Sequence, residues 1–283
     1  MTSIHSTPNT TADPTQTPPH RRVIGITYDG SEFCGWQRQA HSPNTVQAHV
    51  ERALSKVAAH PIKIYCAGRT DAGVHALYQV CHFDTFAERD EKAWVLGANT
   101  QLPPSIALQW ARVADPKFHA RYTATARTYA YLIYRGRYRS SLWAKQSTWI
   151  HKMLDVDQMQ TAAAYLIGEH DFSAFRAAGC QANHPMRRLE RAHLSERGPF
   201  ICFEITANAF LQHMVRNIVG SLIKVGRKET DPNWFKSVLL SKDRRQAGMT
   251  APPQGLYFKG VRYPKAYELP SPDAYQGFLT WFL

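Results

Sequence analysis

The chain has 283 residues, 44% of them hydrophobic, which supports one large domain or two moderate ones and excludes wholesale disorder. Lysine and arginine number 34 against 22 acidic residues, and the resulting charge of +12 favours a polyanionic partner held in a salt-sensitive way. The 5 cysteines form no CxxC pair, so no disulfide framework or zinc ribbon is indicated; no 18-residue apolar run is present, and reduced thiols in a cytoplasmic setting are expected.

Residues 1–21 are rich in Thr, Pro and His, do not read as a secretory signal, and are expected to form a disordered tail. Order is expected from Arg22. Residues 23–28 read as a strand, and Asp29-Gly30 as a turn. Thr45 reads as the N-cap of a helix whose apolar face is Val46, Val50, Ala53, Leu54 and Val57. Pro61 closes that region. Strands are expected at 62–66, 77–83 and 105–113, with a short helix at 90–98, giving the order βαββαβ.

The second half repeats this order. A strand at 127–134 precedes a helix at 157–167, with Met159, Ala163, Leu166 and Ile167 on one side. Strands 187–195 and 200–206 pair around Arg197-Gly198-Pro199. Asn208 is expected to cap a long helix at 209–225, followed by a helix at 234–240 and a closing strand at 256–261. The expected fold is α+β, two ferredoxin-like halves (22–118 and 119–270) joined in one extended mixed, mostly antiparallel sheet. Helices are expected on one face and a binding cleft on the other. Residues 271–283 read as a C-terminal extension, with Phe278, Trp281 and Phe282 docking on the body or on another subunit.

The segment 68–76 (GRTDAGVHA) sets one carboxylate, Asp71, between two glycines and two residues after Arg69. Read from the residues alone, it is an Asx-turn with a surface ion pair to Arg69, or an acid presented at a strand end to a bound substrate. Arg216 interrupts an apolar helical segment. A buried guanidinium there needs an anion, whereas an exposed edge position beside Asn217 needs none. Tyr129 reads as a strand aromatic and Leu256 as a core leucine. The histidines show no HxxxH or HxxEH spacing, and no GxSxG or GxxxxGK[ST] motif occurs. The run 135–139 interleaves Tyr138 with three arginines and suits either a phosphate contact or an exposed loop, and Arg187-Arg188 and 242–245 are weaker versions.

Six segments taken in order carry a resemblance. They are Tyr28-Asp29-Gly30 with Gly35-Trp36-Gln37; 68–76 with Gln79-Val80; Phe118-His119-Ala120-Arg121 with 126–131; 171–175; 208–220; and Gly255-Leu256-Tyr257. Across about 22–270 the chain resembles the tRNA pseudouridine synthase A family. The resemblance implies a cofactor-free, metal-free, redox-neutral isomerase. Such an enzyme detaches uridine at its N1–C1′ bond, turns the base and rejoins C5 to C1′. It implies that Asp71 is the catalytic nucleophile or base and that Arg216 faces it. Tyr129 stacks on the extruded base, Leu256 packs near it, and Arg69 helps to draw the nucleotide from its helix. It implies a substrate in the anticodon stem-loop of tRNA, at positions 38 to 40, bound in an RNA-binding cleft by a homodimer. One departure is Tyr78, where the family usually has a small residue; its ring faces either the core or the substrate groove. Two readings stand beside this one. A non-catalytic RNA-binding module of ferredoxin-like fold would stack bases on its sheet, although the RNP1 pattern is missing. A nucleoside hydrolase would want a second acid or a metal.

Overall fold

The computed structural model describes residues 19–39 and 42–275. The expected tail lies outside the described residues up to residue 18, as do Phe278, Trp281 and Phe282. Ten strands and five α-helices follow in the order β1 (His20–Tyr28), α1 (Val46–Ala58), β2 (Tyr65–Cys66), β3 (His75–Thr85), α2 (Glu91–Asn99), β4 (Ile106–Val113), β5 (Ala126–Arg135), β6 (Thr148–Ile150), α3 (Val156–Ala164), β7 (Gly168–Asp171), β8 (Met186–Arg197), β9 (Phe200–Ala207), α4 (Met214–Gly226), α5 (Pro232–Ser241) and β10 (Leu256–Arg262). Four of the helices start on a side-chain cap. Thr45, Asp90, Asp155 and Asp231 each accept a backbone N–H three residues on, which satisfies a donor that the helix itself leaves free.

All ten strands form one mixed sheet in the order β4-β1-β3-β10-β5-β9-β8-β7, with β2 beside β3 and β6 beside β5. Each half shows the ferredoxin-like arrangement. In the first, β4-β1-β3-β2 are antiparallel neighbours; in the second, β10-β5-β9-β8 are. The halves join where β3 and β10 run parallel, through Tyr257↔His75 and Phe258↔Ala76. The main core lies between the sheet and the helices and includes Ile24, Ile26, Val50, Leu54, Phe83 and Trp94 in one half and Tyr131, Phe203, Ile218 and Phe235 in the other. A smaller cluster of Ala130, Leu132, Phe200, Cys202 and Tyr257 occupies the opposite side of the second half.

Several elements depart from expectation for visible reasons. β1 starts at His20 because Arg21 grips Asp84 with two nitrogens and bonds the carbonyls of Pro116 and Phe118. Only Tyr65 and Cys66 of the expected strand 62–66 pair with β3, because the N–H groups of Ile62 and Ile64 go to side chains of α1, Ser55 Oγ and Glu51 Oε1. Residues 209–213 are not helical. Asn208 Oδ1 accepts from Ala209 N and Arg188 N without capping a helix, and α4 begins after His213. β6 and β7 were not anticipated. Tyr78 is buried against Trp110, and its hydroxyl donates to the Pro270 carbonyl, so it faces packed protein and not a groove.

Candidate active site

Asp71 sits in the connection from β2 to β3, and that loop is anchored on both flanks. Thr70 accepts a backbone bond from Trp36 (3.0 Å) and exchanges a hydroxyl bond with Tyr28 (2.8 Å). The Gln79 amide donates to the Gly68 carbonyl at 2.6 Å. Gly35 makes this docking possible. Its φ is +87°, and a Cβ there would fall 2.9 Å from the Thr70 carbonyl oxygen, so no other residue fits without moving the loop. The segment Gly35-Trp36 and Gln79 therefore serve as the latch that fixes the aspartate.

The acid meets a cation delivered by α4. Arg216 Nη1 donates to Asp71 Oδ2 at 3.3 Å; the side chains are 14% and 31% exposed, respectively. The pairing is single and not bidentate, because Arg216 Nε is committed to the Ala251 carbonyl at 2.8 Å. Ala251 N returns a bond to the Arg216 carbonyl, at 3.0 Å. The loop carrying Ala251 is in turn strapped to α4: Asn217 Oδ1 accepts from Thr250 Oγ1 (2.7 Å) and from Arg244 Nη2 (3.1 Å). Arg244 is thus an internal strut, not a surface cation. No described residue bonds Asp71 Oδ1, which leaves that oxygen for a substrate.

Sequence reasoning gave no role to His213. Its Nε2 lies 3.4 Å from Asp71 Oδ2, and its backbone is left-handed at φ 58°, just ahead of α4. Histidine is among the non-glycine residues enriched in that region, and strain of this kind gathers at functional sites. The available signal was its place in the 208–220 segment, three residues before Arg216.

Tyr129 is 9% exposed and packs edge-on against Phe210 and Phe258, with ring centroids 4.9 and 5.1 Å away. Its hydroxyl has no hydrogen-bond partner among the described residues. Burial, and next the negative charge of Asp71, push its phenol above the usual range, so it stays protonated. Leu256 is buried in the main core at the start of β10, and the turn before it touches the aspartate loop, since a Cβ on Gly73 would lie 3.0 Å from Pro253. Arg69 is exposed and makes no ion pair or hydrogen bond among the described residues, so the sequence-level alternative of an Arg69–Asp71 pair is not formed. Tyr129, Phe258 and Ile205 are register partners whose side chains belong to the helix-side core, and Arg216 projects from α4. The site therefore lies on the helix-bearing face, in the seam between the two halves, and not on the opposite face as expected.

The basic runs contribute less than their charge suggests. Arg135 pairs with Glu196 and Arg245 with Asp243. Among the described residues, no group of three or more His, Cys, Asp or Glu is placed to hold a metal ion.

A carboxylate with one oxygen held by a cation and the other bonded by no described residue, in a protein of +12 charge, suits attack or proton abstraction on a polyanionic substrate. Fold and site together fit the class of enzymes that work through a single carboxylate. The profile of a family described as tRNA pseudouridine synthase matches residues 25–123 and 162–264. Asp71, Arg69, Arg216 and Leu256 fall inside those segments, and Tyr129 falls between them. The chain is 52% identical over 249 residues to tRNA pseudouridine synthase A of Methylococcus capsulatus, covering 88% of this chain and 92% of that protein. It is 50% identical to the protein of the same name from Hydrogenovibrio crunogenus, covering 88% and 94%. The chain belongs to the tRNA pseudouridine synthase family and is an isomerase.

Proposed function

We propose that this enzyme converts uridine to pseudouridine in the anticodon stem-loop of tRNA, at positions 38, 39 and 40, with Asp71 as the catalytic group. The observation that carries this reading is the division of labour on that carboxylate: Oδ2 is held by Arg216, and Oδ1 has no partner among the described residues. The reaction is redox-neutral. The N1–C1′ bond breaks and the C5–C1′ bond forms; C5 loses a proton and N1 gains one. Attack on the sugar, attack on the base and abstraction of a sugar proton all use a carboxylate oxygen of Asp71 that a substrate can reach.

The remaining parts follow from their positions. The target base leaves its helix, at a cost of a few kcal/mol, and Arg69 enters the space or touches the phosphate. Tyr129 supplies a buried ring for the uracil, and Leu256 an apolar wall. Residues 22–118 bring the aspartate loop and 119–270 bring Tyr129, Arg216 and Leu256, so the site is assembled where the halves meet. The charge of +12 supports a tRNA partner, which in this reading crosses both subunits of a homodimer in the cytoplasm. No described helix is long and apolar enough to cross a membrane.

The test is to incubate the protein with unmodified tRNA and map pseudouridine by nucleotide, for wild type and for Asp71→Ala. The expected result is modification at 38 to 40 by wild type and none by the variant. Free uracil in place of pseudouridine would point to a hydrolase. Tight tRNA binding with no modification by wild type would point to a binding module.

A further inference from the structure

The segment Phe118-His119-Ala120-Arg121 takes no part in the Asp71 site. Phe118 and Ala120 are buried, whereas Arg121 is exposed and His119 half-buried. The turn they form is fixed. The His119 carbonyl accepts from Thr123 N and Oγ1, and its Nδ1 accepts from Arg121 N and Tyr122 N, at 3.1 and 3.3 Å. Burial, with Arg21 and Arg121 nearby, holds the His119 pKa below its usual value, so its ring is neutral.

On this turn a row of rings is already assembled. Tyr65 stacks on His82 at 5.1 Å, His82 meets His119 edge-on at 4.5 Å, and Tyr122 covers His119 at 4.3 Å. The ends are open: Tyr65 is 44% exposed and Tyr122 is 74% exposed. Cations flank both ends. Lys63 Nζ lies 5.5 Å from the Tyr65 ring centre and the Arg121 guanidinium 5.6 Å from that of Tyr122. Lys63, Arg121 and Arg69 are exposed and form no ion pair among the described residues, and the acid beside the row, Asp84, is already neutralised by Arg21. The row is tied to the catalytic loop: Arg127 Nη2 donates to the carbonyls of Ala67 and Arg121. Ala67 stands four residues before Asp71, at most about 14 Å of chain.

We propose that Tyr65 and Tyr122, backed by the buried His82 and half-buried His119, form a second RNA subsite, which stacks unpaired bases while Lys63, Arg121 and Arg69 take the adjoining phosphates. The proposal rests on the reading that the substrate is tRNA. Rings held in place by neighbours offer stacking area at little cost in side-chain entropy, and the interleaved cations match a strand's phosphates. A duplex stem presents base edges and hides base faces, so the occupant is a loop or other unpaired segment.

The test uses the full chain with unmodified tRNA, an oligouridylate and inorganic polyphosphate as ligands. Tyr122→Ala and Tyr65→Ala are each expected to weaken tRNA and oligouridylate binding about tenfold and to raise KM accordingly, whereas Tyr122→Trp retains both. Polyphosphate binding should stay unchanged. Because Tyr122 is so exposed, its replacement leaves the fold intact. Alanine variants that bind as wild type, or a tryptophan variant as weak as the alanine one, would overturn the subsite. If wild type makes no pseudouridine on tRNA yet the alanine variants still lose oligouridylate, the tRNA reading fails and the stacking row stands. If wild type is active and the alanine variants bind normally, only the row fails.

Discussion

Replacing Arg216 probes the site through its most sharply defined contact. The guanidinium nitrogen and the Asp71 oxygen are 3.3 Å apart. With an effective dielectric near 20, the gross attraction is about 5 kcal/mol. Partial exposure of both side chains screens this, and the net worth of a hydrogen bond to a charged group is about 1.5 to 3 kcal/mol. If that contact holds Asp71 in its reactive position, Arg216→Ala lowers the single-turnover rate on pre-bound tRNA by roughly 10- to 150-fold. Arg216→Lys keeps the charge, but one ammonium does not reach both the Ala251 carbonyl and Asp71, so an intermediate loss is expected. The stability cost should stay near 1 to 2 kcal/mol, a shift of only a few degrees in Tm for a chain of this size. The assay is rapid-quench measurement of pseudouridine with thermal melts in parallel. A folded Arg216→Ala variant that turns over within twofold of wild type would refute the reasoning.

Four further outcomes follow from the geometry. Gly35→Ala forces a Cβ against the Thr70 carbonyl at positive φ, and should cost at least about 2 kcal/mol by urea denaturation and slow turnover with it; a neutral substitution would mean that the Asp71 loop is not latched there. His213→Asn keeps a residue that tolerates the left-handed backbone but loses the reach to Asp71. Stability should hold within about 0.5 kcal/mol while kcat falls by roughly 3- to 30-fold, and an unchanged kcat would remove His213 from the site. His82 is buried and neutral, accepting Ala120 N at 3.1 Å, and its pKa is lowered to about 4 by burial, His119 and Arg21. The fold therefore favours the uncharged ring, so this stabilisation is complete above pH about 6.5 and is lost as pH falls toward 4. Wild type should lose roughly 2 to 3 kcal/mol more than His82→Gln between pH 7 and 4.5, and equal losses in the two would contradict the assignment. Glu204→Gln strands the Lys259 ammonium, 11% exposed in its pair, and should cost about 3 kcal/mol in denaturation; a loss below 1 kcal/mol would mean the lysine escapes to water.

The fold was legible wherever one local signal decided it. Thr45 caps α1 as its hydroxyl and the apolar stripe behind it imply, and the two βαββαβ orders appear as the two ferredoxin-like halves of one sheet. The contact between Asp71 and Arg216 was legible through the family resemblance, aided by an arginine out of place among apolar neighbours. Residues hidden from sequence owe their roles to distant partners. Ile62 and Ile64 look like strand but are bonded to side chains of α1. The start of α4 is set by the left-handed His213 and not by the capping type at 208. Gly35 and Trp36 reveal their purpose only once the chain returns past Thr70. The side of the sheet that carries the site follows from the register that places Tyr129 beside Phe258 and Ile205, which strand propensities do not encode.

The central claim is that Asp71 acts through a carboxylate oxygen that no described residue bonds. Asp71→Asn removes the charge and keeps the shape. Pseudouridine counted per tRNA at enzyme excess, with binding measured on the same preparation, tests it most directly. The account predicts product at least about a thousandfold slower than wild type, with tRNA affinity within about threefold. Product formed by the asparagine variant at a rate near wild type would contradict it.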